Sequence, residues 1–264
     1  IKTIRNFENK LKKLDMDFSI KEQFLSLWEK YFKNAELPIM YYFGDSKADD
    51  IIKVERSKDW SCIVCELAKV RKGESLMYDA DALGCMGAKR FLGFSENLRP
   101  GFEYFLSCGI PGKMEGERYK KTPEIVLETL KVQKTLPTKG KNIIFKRWDK
   151  LTTADNPEVV VFFAKGEVLS GLFTLANFES VDPNAVIAPF SSGCGSIIHY
   201  PYLEKDAKEP KAVLGMFDPS ARPCVPVDYL SFAVPMVKFE KMVANMKESF
   251  LITDTWKTVM KKIH

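Results

Sequence analysis

Histidine is nearly absent: the 264 residues include two, His199 and the terminal His264. Proton-transfer chemistry would therefore fall on carboxylates or on tyrosines such as Tyr78, Tyr200 and Tyr202. Long apolar runs are also missing. None approaches the roughly 18–20 residues of a membrane-spanning helix. Ile1 to Lys13 is charged where a secretory leader would be apolar. A cytoplasmic setting without membrane contact is the expectation. Neither G-x-G-x-x-G nor a P-loop occurs, and Gly84-Cys85-Met86-Gly87-Ala88 only loosely approaches a glycine-rich loop. Nucleotide binding is not indicated. Nor is charge of one sign concentrated. The net charge is +5, from 40 basic and 35 acidic residues. Lys10, Lys12 and Lys13 cluster, as do Lys139, Lys141, Lys146 and Arg147, which reads as solvated surface. Nucleic-acid binding needs a stripe with a matching motif, so no nucleic-acid partner is expected.

What is present is a globular composition, 45% hydrophobic and 28% charged, enough for a packed core. The expected organisation is one compact domain over 1–264, or two similar halves meeting near 135–155. Six cysteines stand out. Cys62 and Cys65 form C-x-x-C. Cys85 lies in Gly84-Cys85-Met86-Gly87, Cys108 in Ser107-Cys108-Gly109, and Cys194 in Ser192-Gly193-Cys194-Gly195. Cys224 lies between Pro223 and Pro226. A core cysteine behaves as a small hydrophobe. A cysteine on a glycine-bearing loop can meet a ligand at close backbone approach. In a reducing compartment stable disulfides are rare, so these residues are expected to be thiols, metal ligands or redox centres.

Periodicity predicts a first helix through Phe7, Leu11 and Leu14. A second runs from Asp17 to Asn34, with Phe24, Leu27, Trp28, Tyr31 and Phe32 on one face. Ser19 and Glu22 have capping-box spacing. Pro38 to Phe43, Ser75 to Tyr78, Asn142 to Trp148 and Glu158 to Ala164 read as strands. So do Ala185 to Ala188, Ser196 to Tyr200, Ala212 to Met216 and Ser231 to Val234. Helices are expected at Trp60 to Val70, ending at Gly73, at Ala88 to Gly93, Pro100 to Ser107, Pro123 to Val132 and Glu167 to Asn177, and from Met236 to about Ser249. The elements mix without strict alternation, giving an α+β fold of mixed or antiparallel sheets with flanking helices. A faint echo links Cys85 and Phe91-Leu92-Gly93-Phe94 with Cys224 and Tyr229-Leu230-Ser231-Phe232, the basis for the two halves.

Four thiolates bind zinc or an iron–sulfur cluster. A zinc ribbon has two close C-x-x-C pairs, and here there is one, with the other cysteines dispersed. The metal-ligand candidates are Cys62, Cys65, Cys85, Cys194 and Cys224, with Cys108 as a further fourth ligand. Gly87 and Gly193 would present backbone N–H groups to the cofactor. A thioredoxin-type pair at Cys62 and Cys65 lacks the right preceding strand. Cys194 and His199 could form a nucleophile pair, against the plainer reading of a partly buried strand histidine. Arg222 offers a planar fork for an anion, or a partner for Asp218. Arg71-Lys72-Gly73-Glu74 is a second anion candidate.

Three stretches resemble a known family, the prokaryotic proteins catalogued as domain of unknown function 169, found in anaerobic bacteria and methanogenic archaea. They are Cys62 to Phe94, Pro157 to Phe173 and Ala188 to Pro235. The resemblance implies Cys62, Cys85, Gly87 and Cys194 as the family's cysteine and glycine positions. Cys65 and Cys224 look particular to this chain. Where some members carry a further Gly-Cys, this sequence has Gly215-Met216. An anaerobic cytoplasm suits an oxygen-sensitive cluster. The first expectation is thus an iron–sulfur protein in a redox or electron-transfer accessory role, with a redox partner protein. The alternative is a metal-free binding module for a small anionic ligand, with Arg222 and Lys72 gripping it between walls of Tyr200, Tyr202 and Phe217.

Overall fold

The computed structural model describes residues 20–45, 50–56, 61–136 and 140–263. The expected helix through Phe7, Leu11 and Leu14, the cap at Ser19, and Trp60 lie outside the described residues. So do Lys10, Lys12, Lys13, Lys139 and His264.

Alternation along the strands builds one sheet between two apolar layers. Strand β1 (Ile39–Phe43) sends Ile39 and Tyr41 to one face and Met40 and Tyr42 to the other. In β5 (Val159–Ala164), Val159, Val161 and Phe163 face one layer and Val160, Phe162 and Ala164 the other. Successive side chains of a strand point to opposite faces. A strand covered on both faces reads as an unbroken apolar run, which is why these strands were legible as VVVFFA and IMYYF.

The remaining strands are β2 (Ile51–Lys53), β3 (Ser75–Asp79), β4 (Asn142–Arg147), β6 (Val186–Ile187), β7 (Ala212–Gly215) and β8 (Leu230–Pro235). The sheet order is β2-β3-β4-β1-β5-β8-β7-β6. β2 pairs parallel with β3, and β6 with β7. The other neighbours are antiparallel, including β1 with β5 at the centre. Order and sense are therefore the same read inward from either edge, with β1–β4 on one side and β5–β8 on the other. The fold is α+β with a mixed sheet, as expected. The sequence echo is not part of this pattern: Phe91-Leu92-Gly93-Phe94 closes a helix, whereas Tyr229-Leu230-Ser231-Phe232 enters β8.

One face is covered by α1 (residues 20–31), α6 (Gly166–Asn177), α8 (Met236–Asn245) and α9 (Asp254–Met260). Its centre is aromatic: Phe24 meets Trp148 edge-on at 5.5 Å and Phe239 at 5.1 Å between ring centroids. Such pairs contribute about 0.5–1.5 kcal/mol beyond the burial itself. The other face carries α2 (Ile63–Arg71), α3 (Met86–Phe91) and the segment from Gly195 to Glu204. Gly73, at φ +108°, ends the α2 turn, as expected. Two helices lie outside this layer, α4 (Phe102–Phe105) and α5 (Pro123–Val132), the second capped by Thr122.

Two expectations are corrected. Ser196 to Tyr200 is not a strand: Gly195–His199 is a π-helix, followed by α7 (Tyr200–Glu204). All five π-helical residues are buried, and a short apolar run does not by itself separate strand from buried helix. Lys146 is not surface charge. It is wholly buried, with Nζ 3.0 Å from Asp50 and 3.1 Å from Asp155. Among the described residues, no helix is long and apolar enough to cross a membrane.

Candidate functional site

Three cysteines stand at helix starts on the α2–α3 face. Cys62 caps α2 and Cys85 caps α3, both in extended backbone geometry that turns the chain into the helix. Cys194 immediately precedes the π-helix. The β2–α2, β3–α3 and β6–π-helix connections thus deliver one sulfur each to a single cavity of about 480 Å³. Its floor holds Cys62, Cys85, Cys194, Gly193 and Asp218. Phe91, Phe102, Phe105, Leu130 and Phe190 form apolar walls. Another cavity, beside Ala35 and Tyr229, has room for about 20 Å³, little more than a water molecule.

Electrostatics separate the sulfurs. Burial raises the Cys62 pKa, while the N–H groups of Cys65 and Val64 favour its thiolate. Cys194 is buried, and desolvation pushes its thiol far above the ordinary range, opposed by the Ser192 hydroxyl 3.2 Å from Sγ. A thiolate at Cys194 therefore requires a compensating positive charge.

Cys65 and Cys224 correct the ligand set. They are bonded to each other, with Cα atoms 4.5 Å apart across 159 residues of sequence. A bonded pair offers no thiolate to a metal. The bond fastens the first turn of α2 to the short 3-10 helix Arg222–Cys224. The sulfurs of Cys62, Cys65 and Cys224 all lie within 4.8 Å of one another. Five of the six cysteines thus gather at the start of α2 and the cavity floor beside it. Cys108 does not: it is exposed, beside the Ile110–Met114 bridge, and lines no part of the cavity.

Asp218 is 2% exposed and forms no ion pair among the described residues. It accepts hydrogen bonds from the N–H groups of Gly193 and Ser220, each at 3.1 Å, and from the Ser220 hydroxyl at 3.0 Å. The Tyr119 hydroxyl accepts the Ser220 N–H at 3.0 Å. Burial, with Asp218 adding to it, pushes Tyr119 up to about 12. Gly193 is held in a tight space: a Cβ there would lie 2.8 Å from Ala221 Cβ and 3.0 Å from Met216 Sδ. Its role is close packing between the loops, along with its N–H to Asp218. Gly87 lines the cavity beside Cys85.

Arg222 is not at the cavity. Its guanidinium donates to the carbonyls of Met216, Tyr229, Pro226 and Val227, clamping the β7–β8 loop. Asp218 is not its partner among the described residues. Lys72, Tyr200, Tyr202 and Phe217 line no part of the cavity either. Tyr202 donates instead to Glu158 at 3.3 Å. The cavity's cations are Arg90, Arg99 and Lys120. Arg90 is committed to the carbonyls of Glu96 and Leu130, joining α3 to α5. Arg99 lies over Phe105 and Lys120 over Phe190, at 5.6 and 5.2 Å from the ring centroids. Neither has a carboxylate partner among the described residues.

His199 forms no hydrogen bond with Cys194. Neither ring nitrogen makes a well-formed hydrogen bond among the described residues, and the ring packs edge-on against Phe91 at 5.4 Å; burial lowers its pKa to about 4, outweighing the nearby Phe91 and Lys134 backbone groups that favour the charged form. It is neutral, and a nucleophile pair is not assembled.

Tyr119, Phe102, Phe105 and Phe190 escaped the sequence reading. They come from α4, the α4–α5 loop and the loop after β6, with no shared motif, and the available signal was weak: large apolar residues within charged, glycine-bearing stretches.

The chain belongs to the family catalogued as domain of unknown function 169, described as uncharacterised ArCR, whose family model matches residues 29–245. The matched span contains all eight strands and all six cysteines. No curated protein and no solved structure matches the chain.

Proposed function

We propose that this family member holds an iron–sulfur cluster on Cys62, Cys85 and Cys194, at the floor of a pocket for a small anionic ligand. The observation that carries the reading is the convergence of three unbonded thiols, from three separate connections, on one cavity. These are also the three cysteines of the family resemblance; of the other three, Cys65 and Cys224 are bonded to each other and Cys108 lines no part of the cavity.

The donor set fits. Thiolates are the usual ligands of such clusters. Cys62, Cys85 and Cys194 do not all lie within 4.8 Å of one another, since the one such group among the described residues is Cys62, Cys65 and Cys224. Zn–S bonds of 2.3 Å place tetrahedral sulfurs about 3.8 Å apart, so the wider triangle suits a multi-iron core better than one ion. A bound cluster would supply electron-transfer chemistry and the positive charge that a Cys194 thiolate requires. The chain's own part is then to hold the sulfurs, exclude water with Phe91 and Phe190, and seat the ligand. Arg99 and Lys120, beside aromatic rings and without a carboxylate partner among the described residues, suit a molecule with an acidic group and an apolar body. A redox partner protein would exchange electrons with the site.

The test is anaerobic purification with iron, acid-labile sulfide and visible absorption measured together. Iron and sulfide in cluster ratio, lost in Cys62→Ala, Cys85→Ala and Cys194→Ala but kept in Cys108→Ala, support the proposal. Folded protein that takes up neither iron nor sulfide on reconstitution overturns it. The metal-free anion pocket then stands alone, tested by ligand titration against Arg99→Ala and Lys120→Ala.

A further inference from the structure

We propose that Cys62, Cys65 and Cys224 form a three-sulfur exchange site, in which the Cys62 thiol moves the disulfide from one pair to another. The inference rests on geometry and concerns the chain without a bound cluster, since a Cys62 sulfur that holds iron cannot attack the bond. The three sulfurs lie within 4.8 Å of one another, two of them bonded and the third free. Cys62 and Cys65 stand three residues apart across the start of α2, so their side chains share one side of its first turn. Cys224 enters from the β7–β8 loop. The Cys62 sulfur lies within 4.8 Å of both sulfurs of the bond.

Disulfides rearrange by attack of a thiolate on one sulfur of the bond. Here the Cys62 sulfur bonds to Cys65 Sγ and the Cys65–Cys224 bond breaks. Its electron pair leaves with Cys224, which takes up the proton that Cys62 released. The step is an isomerisation with no net oxidation. The product is a Cys62–Cys65 disulfide within α2 and a free Cys224, so the strap between α2 and the Arg222–Cys224 turn is released.

The burial of the three residues gives the site a direction. Cys65 is exposed, whereas Cys62 and Cys224 are half-buried and Cys62 lines the cavity. A dithiol reductant, a small molecule or the paired thiols of another protein, reaches Cys65 from solvent. It is oxidised to its own disulfide as the chain's bond is reduced to two thiols. Cys62 is the sulfur common to the pocket and the exchange.

The experiment is disulfide mapping of the full chain by mass spectrometry, after equilibration in dithiothreitol buffers of graded redox poise and acid quenching. Iron analysis of the same preparations reads the cluster proposal separately. In Cys224→Ser the expected product is a Cys62–Cys65 disulfide, in Cys65→Ser a Cys62–Cys224 disulfide. In the wild type a Cys62-containing disulfide of at least a few per cent accompanies Cys65–Cys224 at intermediate poise. Circular dichroism identifies the variants that fold, and the wild-type map carries the test if neither does. Cys62 recovered only as alkylated thiol in the wild type at every poise, or in both folded variants, overturns the proposal.

Discussion

Lys146 and Asp155 form an ion pair with no solvent access, Nζ to Oδ2 at 3.1 Å, on the face of the sheet away from the cysteines. Tyr42 donates to the second Asp155 oxygen at 2.7 Å, and the Thr152 amide and hydroxyl each donate at 2.8 Å. Asp155 is thereby saturated, and Asp50 adds a second carboxylate to Lys146 at 3.0 Å.

Removing Lys146 leaves the Asp155 carboxylate buried without its cation, whereas removing Asp155 leaves Lys146 with Asp50. Lys146→Ala is expected to destabilise by about 3–5 kcal/mol and Asp155→Ala by less. The double variant should cost less than the sum of the two. Urea unfolding of the cycle measures it; additive losses would mean that the two charges are not coupled.

Gly193→Ala places a Cβ against Ala221, Met216 and Val64 Cγ2, the last at 3.1 Å. Overpacking of this kind costs about 1–3 kcal/mol. Because the residue joins the Cys194 segment to the Asp218 loop, alkylation of Cys194 by a thiol reagent should also speed up. A variant with wild-type stability and wild-type alkylation would show that the loops have slack.

His199 gives a pH signature. Burial lowers its folded pKa to about 4, below the ordinary 6.5. The unfolded chain binds the proton first as pH falls, so the stability due to neutral His199 is complete above pH 6.5 and declines toward pH 4. The decline amounts to roughly 3 kcal/mol at 1.36 kcal/mol per pH unit. The measurement is the difference in urea stability between wild type and His199→Gln at pH 7.5 and at pH 4.5. A difference that does not shrink toward pH 4.5 contradicts the burial of a neutral ring.

Arg222→Lys should behave almost as badly as Arg222→Ala. A guanidinium fork reaches several carbonyls at once, and an ammonium is a point donor. The expected loss is about 1–3 kcal/mol in either variant, read as a lower thermal midpoint. Full rescue by lysine would show that charge near the β7–β8 loop is sufficient.

The sheet was legible because its strands are buried on both faces and spell apolar runs, and α1 and α8 because their aromatic and aliphatic residues recur at helical spacing. The cysteines were legible as a group because glycine or proline flanks most of them. Their pairing was not. Cys65 and Cys224 meet only through the order of the eight strands, and nothing near either residue encodes that order. The π-helix was misread because Ile197 and Ile198 are apolar on a segment with no exposed side to set a period. Lys146 was misread as surface because its partner Asp155 lies nine residues on, beyond the strand's end. Arg222 looked available for an anion because main-chain carbonyls leave no trace in a sequence.

The sheet order has a mechanical consequence. Cys62 and Cys85 belong to the β1–β4 side, Cys194 and Cys224 to the β5–β8 side, and the two sides meet along β1 and β5 in three residue pairs, Ile39 with Val161, Met40 with Val160 and Tyr41 with Val159. A change of twist along that seam would alter the span from Cys62 to Cys194 more than the span from Cys62 to Cys85. The bond from Cys65 to Cys224 crosses the same seam and ties its two sides together.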